Sequence, residues 1–182
     1  ILGGILGFGS IEQINYATMV MAWILIIERR LINKRMRVSI RWMGILMILM
    51  LCVQCLKYKM IVNETACRYM WYMYYIPFVF LPLLFFFLAA NINRSIYDYP
   101  LRKLHYLTIP AIAIVIFVLT NEWHEQVFKF NTVIHSESDY SHNWGYFLVV
   151  VWSAGMLIAG IAMLIHKTRV IRLGRKMLKL IP

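Results

Sequence analysis

Three groups of residues in this chain have types and spacing that permit chemistry. The first is RYMWYMYYIP, residues 68–77, which sets five aromatic rings into ten positions behind an arginine. A helix turning about 100° per residue gathers Arg68, Trp71, Tyr72, Tyr75, Val79 and Pro82 on one side and sends Tyr69, Tyr74 and Pro77 elsewhere. Such rings suit a stacking platform for nucleic acid, the water-facing rim of a membrane helix, or the lining of a pocket for a small ligand. The second group is His124, Glu125, His135, Asp139 and His142. These are metal-ligand types, but their spacing matches no ligand motif and histidines in a polar loop are ordinarily solvated, so no metal is assigned. The third group is Cys52 and Cys55, whose C-x-x-C spacing falls inside an apolar helix where packing is the expected role. Cys67 is left over, and no disulfide framework follows. The sequence carries no phosphate-cradling loop, hydrolase elbow or zinc-protease motif, so neither a catalytic residue nor a cofactor is assigned.

Composition decides what must position these residues. The 182 residues are 62% apolar and 15% charged, with a net charge of +11. Soluble domains are about 45–50% apolar and about 25% charged. A basic chain that binds nucleic acid shares its bases across one solvated face. Here the bases lie in short clusters between long uncharged runs, which excludes the nucleic-acid platform and describes an all-α, polytopic helical membrane protein. A span needs about 20 mostly apolar residues. Five stretches qualify, at about 12–27, 42–56, 71–90, 104–120 and 145–165. They make one membrane-embedded domain over residues 1–182. The opening ILGGILGFG is too short to span alone and reads as a lead-in to the first helix. With no initiator Met, the chain reads as a fragment.

Charge gives the orientation. Arg29, Arg30, Lys34, Arg35, Arg37 and Arg41 follow the first span, and Lys167, Arg169, Arg172, Arg175, Lys176 and Lys179 follow the fifth. Both clusters are expected in the cytoplasm. The loop from Asn121 to Asn143 holds only Lys129 against Glu122, Glu125, Glu137 and Asp139, and is expected outside. The N-terminus is then out and the C-terminus in. The aromatic run falls where the third span enters from the outer surface. As a belt, its rings anchor the helix at the interface. As a pocket, Trp71, Tyr72 and Tyr75 line an outward cavity capped by Trp123 and His124, with Asn15 of the first helix nearby.

Pro77 and Pro82 each remove a backbone donor, which a membrane helix tolerates where neighbours re-satisfy the freed carbonyls. The third span is therefore expected to be kinked and central. Gly155, Ala159 and Ala162 make a small-residue stripe suited to close helix packing. Trp123, Val127, Phe128 and Phe130 are too apolar for a free loop and are expected to form a short element against the outer helix ends.

RYMWYMYYIPFVFLPLL (68–84), VLTNEWHEQVF (118–128) and SHNWGYFLVVVW (141–152) together resemble the N-terminal seven-helix sensor region of bacterial membrane histidine kinases. The resemblance runs from about Gly9 to the end. It implies a truncated seven-helix bundle in the plasma membrane, acting as the input module of a two-component system. It also implies a cytoplasmic kinase or other output domain in the same full-length chain, an unidentified small ligand or membrane condition as stimulus, and a homodimer as a candidate assembly. The alternative is a small-solute transporter or a membrane-enzyme subunit. No Asp, Glu, Lys or Arg lies in the apolar core of any span, which weighs against ion-coupled transport.

Overall fold

In lipid a backbone must satisfy its own hydrogen bonds, and a helix does so within one segment. The computed structural model describes residues 15–16, 18–27, 34–59, 64–92, 102–130 and 140–178, nearly all of them helical. Arg29, Arg30, His135, Glu137, Asp139 and Lys179 lie outside the described residues. The first helix, α1, is Thr18–Ile27. It is followed by α2 (Lys34–Lys59), α3 (Glu64–Asn91), α4 (Arg102–His105), α5 (Thr108–Leu119), α6 (Asn121–His124) and α7 (Trp144–Leu178). A small antiparallel pair, β1 (Phe128–Phe130) and β2 (Tyr140–His142), sets Phe128 opposite His142 and Phe130 opposite Tyr140.

Among the described residues, three stretches are long and apolar enough to cross a membrane: Met36–Gln54, Thr65–Asn91 and Trp144–Arg169. They correspond to the second, third and fifth expected spans. The first and fourth correspond to shorter apolar helices, Thr18–Ile27 and Lys103–Leu119. Two boundaries differ from expectation. The helix α2 begins at Lys34, so the basic cluster of the first loop runs into the helix. The helix α7 does not end with the fifth expected span near Ile165 but continues through the basic tail as one helix of 35 residues. Lysine and arginine are good helix formers, so charge ends a span without ending a helix.

The helix α3 sits at the centre and packs against α2, α5 and α7. Its buried residues Tyr72, Tyr75, Val79 and Leu83 recur at helical spacing. They meet Ala111, Ile114, Val115 and Val118 of α5 and Val149 of α7 in a single core. The His105 ring of α4 lies 5.5 Å from Phe87, near the C-terminal end of α3. Asn121, just beyond α5, reaches Tyr72 near the N-terminal end. Thus α5 runs antiparallel to α3. The helix α7 instead runs parallel to α3, in step: Ser153 meets Phe78, Gly160 meets Phe85 and Phe86, and Lys167 meets Ala90 and Ile92.

One of these meetings explains how α3 carries Pro82. Pro82 lacks the N–H that would bond the Phe78 carbonyl four residues back. Ser153 of α7 supplies the missing donor, its hydroxyl lying 3.1 Å from that oxygen. Pro77 is fully buried, and Pro82 half-buried. The close approach of α3 and α7 falls at Gly160, where an added Cβ would lie 2.7 Å from the Phe85 ring. The stripe expected to pack, Gly155, Ala159 and Ala162, is exposed, and a Cβ at Gly155 would meet nothing within 4 Å. Two sets of small residues share this helix, and periodicity alone does not say which set faces a neighbour.

Candidate functional site

The site is built where the N-terminal end of α3 meets α6 and the hairpin. Asn121 opens α6 and is 1% exposed. Its Oδ1 accepts from the backbone N–H groups of Val127 (2.8 Å) and Phe128 (3.1 Å). Its Nδ2 donates to the Phe128 carbonyl (2.8 Å) and to the Tyr72 hydroxyl (3.3 Å). A buried side-chain amide has two donor and two acceptor positions, and all are used. The local turn makes this reachable. Glu125 stands in the left-handed region, with φ 49°, and its N–H closes on the Asn121 carbonyl at 2.8 Å. The chain then folds back over Asn121.

The Tyr72 hydroxyl is paired twice, accepting from Asn121 and donating to Glu122 Oε1 at 3.0 Å. Glu122 Oε2 also faces Arg68 Nη1 at 3.7 Å, with side chains 31% and 28% exposed. An ion pair this long and this wet contributes little stability and is easily exchanged for another partner. The Arg68 guanidinium lies 5.3 Å above the Phe130 ring, a cation–π contact that holds it near the hairpin. Beneath, Phe128 packs with its ring centre 5.0 Å from Tyr75, 6.0 Å from Tyr146 and 6.5 Å from Tyr72. The result is a neutral, fully bonded floor under a loose pair of opposite charges.

Of the residues expected at a binding site, the structure brings Tyr72 and Tyr75 together, both buried and both against Phe128. Trp71 is half-buried at the edge of the same core. Trp123 is 88% exposed and caps nothing. His124 turns to α5 instead, stacking on Phe117 at 4.6 Å. Its Nδ1 accepts from the Gln126 N–H (3.0 Å), which leaves Nε2–H to donate to the Phe117 carbonyl (3.0 Å). Asn15 is exposed on a helical stretch ahead of α1. Where a capped cavity was expected, Phe128 is inserted as the lid. Of the apolar loop residues, Val127 and Phe128 are buried and Phe130 half-buried, so the expected short element exists, as α6 and a hairpin.

Sequence reasoning passed over Asn121. The available signal was an asparagine at a helix junction, a few residues ahead of the apolar pair Val127 and Phe128, since Asn side chains commonly stand in for backbone partners at turns. Among the described residues, no three His, Cys, Asp or Glu gather where they could hold a metal ion. The arrangement suits recognition by charge and stacking.

The family model described as the N-terminal 7TM region of histidine kinase matches residues 14–178, a range that contains α3, α6 and the hairpin. No curated protein and no solved structure gives a significant match.

Proposed function

The chain belongs to the family of N-terminal 7TM regions of histidine kinases, and from that premise we propose that it carries an outer-face stimulus to a cytoplasmic output domain of the same full-length chain. The observation that carries this reading is the bridge from Tyr72 through Asn121 and Glu122. It joins the central helix α3 to a loop element whose charges remain open to solvent. A stimulus that engages Arg68 or Glu122 acts directly on the bonding of Tyr72, and so on α3.

The proposed topology has five spans in this chain, N-terminus out and C-terminus in. The clusters of basic residues after the first and fifth spans support it. So do the directions of the helices, because α3 and α7 run parallel and α4–α5 runs back between them. The helix α7, at 35 residues, is roughly 50 Å long at 1.5 Å per residue, against about 30 Å of hydrocarbon. On this reading it projects well into the cytoplasm. Trp71 and Tyr75 support the outer site, and Trp123, His124 and Asn15 lie on the outer surface as secondary ligand contacts. The other partners in this reading are the bilayer, a small ligand and a second copy of the chain.

The test is made in full-length protein. Glu122→Gln keeps an acceptor for Tyr72 and removes the charge facing Arg68. It is expected to change autophosphorylation while leaving membrane abundance at the wild-type level. In the same protein without native cysteines, Lys129→Cys should react with an impermeant maleimide on intact cells, and Arg169→Cys only after permeabilisation. Unchanged phosphorylation in Glu122→Gln, or surface labelling of Arg169→Cys, overturns the reading.

A further inference from the structure

The C-terminal end of α3 is closed by a residue of another helix. A helix leaves its last carbonyls without intrahelical donors. At this end Asn91 turns its own Nδ2 back to the Phe87 carbonyl at 2.8 Å. The Ile92 N–H is shared between the carbonyls of Leu88 (3.2 Å) and Ala89 (3.3 Å). The carbonyl of Ala90 and that of Ile92 (2.9 Å) both accept from the Nζ of Lys167, half-buried in α7. An ammonium here meets two oxygens and the negative end of the α3 dipole together.

The position of Lys167 matters as much as its bonds. It lies near the end of the apolar stretch Trp144–Arg169, while the same helix continues to Leu178. It is also the last in a row of α3–α7 ties. Val149 joins the common core, Ser153 bonds Phe78, Gly160 fits against Phe85 and Phe86, and Lys167 closes on Ala90 and Ile92. The first three are fixed by packing or a short side chain. Lysine is a point charge on a flexible stem, so it can follow, or release, a moving helix end.

We infer that Lys167 is an interhelical latch: its ammonium couples the C-terminal end of α3 to α7, so that a displacement of α3 reaches the segment of α7 that leaves the membrane. This inference rests on the sensory reading above. A rigid core tie would transmit motion without choice, whereas an ionic cap on bare carbonyls has two discrete states, closed and open. Such bistable joints convert small shifts into switching.

The experiment uses the full-length protein in lipid nanodiscs, with spin labels at Ile92 and Arg169 and a second pair at Tyr69 and Lys129. In Lys167→Met the first distance distribution should lengthen or broaden, the second should stay as in wild type, and Lys167→Arg should restore the first. An unchanged Ile92–Arg169 distribution in Lys167→Met overturns the latch, whatever the kinase does. Coupling is then read by a double-mutant cycle on autophosphorylation. A latch that transmits makes the Glu122→Gln effect shrink about fivefold or more in the Lys167→Met background, the lower range of allosteric couplings. Independent, additive effects overturn transmission through Lys167. If Glu122→Gln in an otherwise wild-type protein leaves autophosphorylation unchanged, the sensory reading is defeated, and the distance measurement still decides the latch.

Discussion

The two ends of α3 are held by opposite means. At the N-terminal end, a neutral amide from Asn121 spends all four of its bonds on Tyr72, Val127 and Phe128, and an aromatic ring seals the cluster. At the C-terminal end, a flexible cation reaches across from α7 to the carbonyls of Ala90 and Ile92. A rigid planar amide with every position filled has one satisfactory geometry. A point charge on a flexible stem can either hold its carbonyls or let them go. One end is thus a frame and the other a joint, although both sit on the same continuous helix. The prolines fall between them, and the carbonyl that Pro82 frees is taken up by Ser153.

Substitutions should expose this asymmetry. The largest loss is expected at Phe128, which is 1% exposed amid three tyrosines. Phe128→Ala should cost about 3–5 kcal/mol, as large aromatic truncations in cores do. Denaturation of the purified protein in mixed micelles measures it, and a loss below 1 kcal/mol would show that the lid is not a packed element. Asn121→Ala follows, at about 3 kcal/mol. It strips partners from several buried groups worth roughly 1–3 kcal/mol each, some of which water then reaches. Faster amide exchange at Val127 and Phe128 should accompany it. If exchange there is unchanged, the amide is not what holds the hairpin. The smallest effect belongs to the other end. Lys167→Met should lower stability by about 1 kcal/mol, within the range for a cation at a helix C-terminus. A loss as large as that of Phe128→Ala would erase the contrast between frame and joint.

Much of this was legible in the residues themselves. Uninterrupted apolar runs required helices, because lipid offers a backbone no other partner. Two prolines in one apolar run already implied neighbours on α3, since a freed carbonyl in lipid must find a donor. The 3.6-residue period placed Tyr72, Tyr75 and Val79 on one buried side, as found. The surplus of apolar residues after Asn121 announced a packed element. The family resemblance rested on the same stretches and was met by the match over residues 14–178.

Other features were settled only by the fold. Trp123 and Phe128 are both large aromatics in one short loop, yet one is 88% exposed and the other 1%. What separates them is the reversal at Glu125, a residue with no special preference for positive φ, held there by the backbone bond to Asn121 and by the Asn143 side chain on its carbonyl (2.7 Å). In the same way Gly155 and Gly160 are alike in sequence, and only the angular placement of α7 against α3 decides which one touches a ring. The pairing of Lys167 with Ala90 depends on two helices running parallel in register across 77 residues of chain. Periodicity assigns a residue to a side of its own helix. Which neighbour stands on that side depends on how the chain returns, through turns and crossings that no single segment encodes.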